Sequence, residues 1–189
     1  NKSAIFKKIA DLLKDCFGDG TIAEQILNNS HQLRLKYQEY SLERKQMIPK
    51  IDLPDYPASN ERWRFSSHPL LNELLTSDNI QERYWINECL RSLEEKGLLL
   101  YDEYLTRLET EADVIKDIGE KLDDCLFAYF NTFKHYIDLF WECGSIVGPG
   151  RGSATGFLSN YLLGITQLDP VRWGLPYWRF LNKERAELP

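Results

Sequence analysis

Residues 147–164 read VGPGRGSATGFLSNYLLG, in which three closely spaced glycines, a proline and one arginine precede an apolar run. Upstream, Gly144 ends a helical pattern, and Ser145-Ile146-Val147 is long enough for a short buried strand. Downstream, Phe157, Leu158, Tyr161 and Leu162 recur at helical spacing as far as Gly164. The stretch therefore predicts strand, glycine loop, helix. Such a loop gathers unpaired backbone N–H groups at one point, with the positive end of the helix dipole behind them. Gly148, Gly150 and Gly152 clear the backbone approach, Ser153 can cap the helix or donate its hydroxyl, and Arg151 adds a fixed charge. Two readings stand: an anion cradle suited to a phosphate, and a tight turn with a capping serine. The cradle is the stronger of them. Spacing excludes two familiar phosphate loops, because no GKS or GKT follows and neither glycine phase gives GxGxxG.

Outward from the loop the pattern is helical. Leu126, Tyr129, Phe130, Phe133, Ile137 and Phe140 form an aromatic stripe that reads as core. A base-stacking platform would interleave Lys or Arg, and only Lys134 is present. Before it, Tyr101, Tyr104, Leu105, Leu108, Ala112, Ile115 and Ile118 mark one helix face. The intervening Asp102, Glu103, Arg107, Glu109, Glu111, Asp113, Lys116 and Asp117 read as its solvated side. Another helix carries Tyr84, Ile86, Cys89, Leu90 and Leu93 and stops at Gly97. Residues 47–69 hold four prolines and no sustained period, and form a connecting segment. Two amphipathic helices open the chain, carrying Ile5, Phe6, Ile9, Leu12 and Leu13, then Ile22, Ile26, Leu27 and Leu33. Past the loop, Asp169-Pro170 places a capping acid before a proline at a helical start, opening a short turn through Trp173.

At 189 residues and 43% hydrophobic, the chain can bury a core of its own. The net charge of −6 excludes a free-standing nucleic-acid coat protein, though not a local phosphate site. No apolar run approaches the roughly 20 residues that span a bilayer, and the first residues lack the pattern of a signal peptide, which predicts a cytoplasmic protein. Four scattered cysteines without a CxxC pair, and three histidines away from the usual metal spacings, predict reduced thiols and no zinc site.

The order VGPGRGSATGFLSNYLLGITQLDP, then RFLNKER, closely resembles the palm region of the C-family replicative DNA polymerases, the alpha subunits of bacterial DNA polymerase III. That family carries a VGPGRGS loop, a helix ending in LGIT, an acidic-proline pair and ERFLNPER. Tyr104, Arg107, Leu108, Glu109, Glu111, Val114 and Ile115 match its YxxRLExExxVI, and Tyr129-Phe130 its YF. Leu53-Pro54 through Pro57 is similar to its LPxFP segment, so the similarity runs from about Leu53 to Pro189. The family's SAAGSLV is SATGFLS here and its ERFLNPER is WRFLNKER, as in a divergent member such as a phage or plasmid enzyme.

The resemblance implies an α+β, mainly helical fold: part of a polymerase-beta-like nucleotidyltransferase palm, with short strands before the loop and near Arg179. It implies that residues 1–57 are the tail of a PHP-type domain with its linker, and that 58–189 begin the palm. Gly150, Arg151, Gly152, Ser153 and Arg179 would bind the triphosphate of an incoming dNTP, with Arg185 a weaker candidate. The Mg²⁺ ions would be held by an Asp-x-Asp that the family places after its ER-x-x-x-P segment, beyond Pro189. Glu184 and Glu187 do not occupy those positions. The chain is thus expected to be an inactive fragment of a polymerase whose partners are primer-template DNA and other replisome subunits. The competing expectation is a stand-alone helical binding module.

Overall fold

The structure, a computed structural model, describes residues 2–18, 20–38, 48–54 and 62–184. It has two compact units, Asn1–Lys45 and Gln46–Pro189. In the first, α1 (Lys2–Phe17) packs on α2 (Gly20–Gln38), matching the two helices expected there. Ala23 is buried, but Leu12, Phe17 and Leu33 are each more than half exposed, so much of the predicted apolar face lies open. The side chains of Ile5 and Phe6, residues 55–61, and the tail from Arg185 through Glu187 to Pro189 lie outside the described residues.

The second unit contains α3 (Pro69–Thr76), α4 (Ile80–Glu95), α5 (Asp102–Leu122), α6 (Phe127–Glu142) and α7 (Leu158–Leu162), with 3-10 turns at Gly152–Gly156 and Tyr177–Arg179. The apolar residues read from α4 and α5 meet in one core, where Trp85, Ile86, Leu90, Leu93, Leu108 and Ile115 are all inaccessible. Trp85 meets Phe127 edge-on at 5.0 Å. Phe130 stacks on Phe157 at 5.9 Å, and Phe157 meets Phe180 at 5.1 Å. These rings fasten α6, the start of α7 and the second 3-10 turn together, each buried phenylalanine contributing roughly 1.5–3 kcal/mol. Residues 48–54 lie against this unit: Thr132 donates to the Pro49 carbonyl at 3.0 Å, and Lys50 pairs with Asp124 at 2.7 Å.

Three sequence expectations change. Among the described residues there is no strand, and Ile146 is 94% exposed. The backbone explains this: the Ser145 N–H turns back to the Phe140 carbonyl at 2.9 Å, closing α6, and the chain leaves as an exposed arm with no neighbouring strand to complete a ladder. The palm expectation therefore stands here only as a mainly helical fold. The aromatic stripe also divides. Leu126 and Phe130 are core and Tyr129 and Ile137 partly buried, whereas Phe133 and Phe140 are exposed, because the rings that seat α6 meet its first turns. Finally, the charged side of α5 is not uniformly solvated. Asp102, Glu103 and Asp113 are exposed, but Glu109 and Arg107 are half-buried and Glu111 is inaccessible.

Glu109 shows what such an acid does. Its carboxylate accepts the Leu70 N–H at 2.9 Å, at the start of α3, and also faces His68 Nδ1 at 3.0 Å. His68 is buried, and its other nitrogen lies 3.1 Å from Asp102. Burial acts to lower its pKa, but the hydrogen bonds to Glu109 and Asp102 outweigh it and hold the imidazole above its ordinary value. A folded-state pKa above the unfolded value of about 6.5 makes this contribution complete below that pH and lost as pH rises through the folded pKa. Unfolding free energy measured in urea should therefore fall with rising pH above about 6.5, more steeply in the native chain than in His68→Gln. Parallel profiles would remove His68 as the titrating group.

Candidate functional site

The glycine loop leaves the exposed arm at Gly148 and is pinned from behind. The Gln167 N–H donates to the Pro149 carbonyl at 2.7 Å, Thr155 Oγ1 to the Gly152 carbonyl at 2.9 Å, and Asn160 Nδ2 to the Ala154 carbonyl at 2.9 Å. Gly150 sits at φ +138°, and a Cβ there would lie 2.5 Å from Thr155 Cγ2. Only glycine suits that backbone and that space. Arg151 is extended, at φ −145° and ψ 141°, and exposed; Gly152 and Ser153 are exposed in the first 3-10 turn.

Arg179 closes the second 3-10 turn, which packs against the first. A Cβ on Gly156 would stand 2.8 Å from the Pro176 carbonyl oxygen, so the two segments touch backbone to backbone. Arg179 is exposed, as Arg151 is. The loop's 3-10 turn and the Arg179 turn, with Ser153 and Arg179 26 positions apart in sequence, thus lie side by side, and each segment carries an exposed arginine.

The expected helix end behind the loop belongs to something else. Ser153 does not cap α7, which begins only at Leu158 and has no cap from its own sequence. Glu111 of α5 does that work. One carboxylate oxygen accepts the Leu158 N–H at 2.7 Å and the other the Ser159 N–H at 2.9 Å. Arg107 Nε donates to the first oxygen at 2.8 Å. Burial raises the Glu111 pKa above the usual carboxylate range, against the opposing pull of the Ser159 and Leu158 N–H groups and of Arg107. With each oxygen accepting from a backbone donor, the ionised form is the one this geometry serves. The positive end of α7 is consequently neutralised from within, and any external anion must rely on the loop and its arginines.

Glu111 and Arg107 were legible in principle. Glu111 lies three residues after Leu108 and four before Ile115, on the apolar stripe itself, and Arg107 stands four residues before it. A carboxylate on a buried stripe with a cation one turn away predicts an internal ion pair. Asp169 behaves as its sequence predicts: Oδ1 accepts the Val171 and Arg172 N–H groups at 3.0 and 3.1 Å. Its second oxygen accepts the Tyr104 hydroxyl at 2.7 Å, which burial and this acid hold protonated far above the usual range.

The family described as the bacterial DNA polymerase III alpha NTPase domain matches residues 71–189, taking in α3 to α7, the loop and the Arg179 turn. The chain belongs to that DNA polymerase III alpha family. It is 30% identical over 182 residues to the "Probable DNA polymerase YorL" of Bacillus subtilis, covering 90% of this chain and 14% of that protein, and equally to the "DNA-directed DNA polymerase" of Bacillus phage SPbeta. It is 42% identical over 97 residues to the DNA polymerase III subunit alpha of Thermotoga maritima, covering 51% of this chain and 11% of that protein. This DNA polymerase III alpha segment thus spans about one-seventh of the length of the first relatives.

The family resemblance brings with it an expectation of Mg²⁺. Among the described residues, no three His, Cys, Asp or Glu side chains are grouped to hold a metal ion. The acids that support the loop, Glu111 and Asp169, are already bonded to backbone N–H groups, Arg107 and Tyr104. They do not fit a metal site. Among the described residues no helix is long and apolar enough to cross a membrane.

Proposed function

We propose that this chain is the nucleotide-holding section of a replicative-type DNA polymerase. In this reading Gly150, Arg151, Gly152 and Ser153, with Arg179, bind the triphosphate of an incoming dNTP. The observation that carries it is the packing of the loop's 3-10 turn against the Arg179 turn in a DNA polymerase III alpha family member. Backbone held bare by Gly150 and Gly152 lets phosphate oxygens approach, and two exposed guanidinium groups balance charge as pyrophosphate departs. Phosphoryl transfer asks little of a protein beyond position and electrostatics, and this surface supplies both. Guanidinium forks suit phosphate oxygens better than lysine would.

Catalysis belongs to the whole polymerase, where Mg²⁺ on carboxylates outside these residues would complete a polymerase-beta-like palm. Residues 1–57 would then be the tail of a PHP-type domain with its linker and 58–189 the start of the palm. Primer-template DNA and other replisome subunits would be its partners, in the cytoplasm.

The test is Arg179→Ala in the full-length polymerase, assayed by single-nucleotide primer extension. Loss of a phosphate-facing guanidinium should raise KM for dNTP by about tenfold or more, equivalent to roughly 1.4 kcal/mol, with primer-template affinity unchanged. An unchanged dNTP dependence removes Arg179 from the site. A weakened DNA affinity with normal dNTP dependence would turn this surface into a contact for the nucleic-acid backbone.

A further inference from the structure

The two parts of the proposed triphosphate site are joined by one side chain that does not belong to either. Arg107 projects from α5 and is half-buried, its side chain 18% exposed. Its Nη2 donates to the Gly156 carbonyl at 2.5 Å, at the end of the loop's 3-10 turn, and to the Leu175 carbonyl at 2.8 Å, just before the Arg179 turn. Its Nε is held by Glu111, and its guanidinium lies over the Tyr177 ring at 5.2 Å. One planar group therefore contacts the loop exit, the approach to Arg179 and the acid that starts α7.

We infer that Arg107 is the positioning residue of the site, setting the distance between the loop at 150–153 and Arg179 through the Gly156 and Leu175 carbonyls. The inference rests on the triphosphate reading for its consequence and on geometry alone for the coupling. The fork matters more than the charge. A guanidinium offers donors in fixed directions around a plane, so Nε can hold the carboxylate while the two N–H groups of Nη2 serve the two carbonyls. A lysine ammonium keeps the charge but radiates its donors from a single atom on a flexible stem, and leaves at least one of these buried acceptors slack.

The test uses Arg107→Lys in the 189-residue chain, beside Leu71→Ala, a core truncation in α3 that lowers stability without touching the loop. Amide hydrogen exchange is followed across 151–156 and 175–180, and dATP binding is measured by equilibrium dialysis under conditions where all forms are folded. Arg107→Lys should loosen both segments together and weaken dATP binding by about tenfold or more. Leu71→Ala should leave both readouts at the native level. If Arg107→Lys behaves like Leu71→Ala, the positioning role is overturned, and Arg107 is a stabilising residue only. If the native chain itself fails to bind dATP, the triphosphate reading falls. Exchange then decides the coupling alone: joint loss of protection upholds it, and independent behaviour of the two segments refutes it.

Discussion

Replacing Glu111 with alanine is expected to remove about 3–5 kcal/mol of unfolding free energy, the cost of breaking a buried ion pair from one side. Three donors lose their acceptor together: the Leu158 and Ser159 N–H groups and Arg107 Nε. The two backbone donors do not regain water, because Leu158 and Ser159 are inaccessible where α7 begins. Glu111→Gln separates the contributions. Its single carbonyl oxygen can satisfy one backbone N–H, while the amide nitrogen turned toward the other meets donor with donor, so a loss of about 1–3 kcal/mol is expected. Urea unfolding of the three proteins measures both values. A loss below 1 kcal/mol in Glu111→Ala would show that α7 starts without its carboxylate.

The second large effect is expected from Gly150→Ala, one methyl added to the loop. Positive φ near +138° with a side chain costs on the order of 1–3 kcal/mol, before the contact with Thr155 is counted. The loop can relieve that strain only by moving, and it carries Arg151 with it. In the full-length polymerase KM for dNTP should rise by roughly 10- to 100-fold, with a loss of domain stability of about 1–3 kcal/mol at most once the loop has moved. Thr155→Ser supplies an internal control. It removes Cγ2, the atom 2.5 Å from the added carbon, yet retains the hydroxyl that bonds the Gly152 carbonyl. The double variant should recover part of the dNTP response, namely the steric part, and leave the conformational part. An undisturbed KM in Gly150→Ala would mean that the loop's conformation is irrelevant to nucleotide use.

Local signals in the sequence were read correctly where local forces decide. Gly97, Gly144 and Gly164 each follow a helix at positive φ, and Asp169 caps the turn that Pro170 opens. The α5 stripe is buried from Tyr104 to Ile118 as its period requires, while Tyr101, read as its first member, stands exposed just before the helix. The loop's glycines were singled out as clearing the backbone for a phosphate, but the reason visible at Gly150 is internal: a positive φ and a Cβ position 2.5 Å from Thr155 Cγ2. What the sequence hid is non-local. A strand at 145–147 needs a neighbour, which no period within the segment can report. Ser153 sits in the right place to cap a helix, but a carboxylate 47 residues before Leu158 took that role. Charges on α5 were assigned to solvent as a group, although Glu111 falls on the apolar side by its own spacing.

Helix α5 lends acids to the starts of two other helices, Glu109 to α3 and Glu111 to α7, neither of which has a side-chain cap of its own. This arrangement orders events in time. A five-residue helix is far too short to persist alone, and its supporting acid reaches it only after a long chain closure. Hence α7 and the loop ahead of it are expected to form late, on the downhill side of the folding barrier. Mutations at Glu111 should then speed unfolding while leaving the refolding rate nearly untouched. The proposed nucleotide surface is then expected to be the last part of the domain to acquire its shape and the first to surrender it.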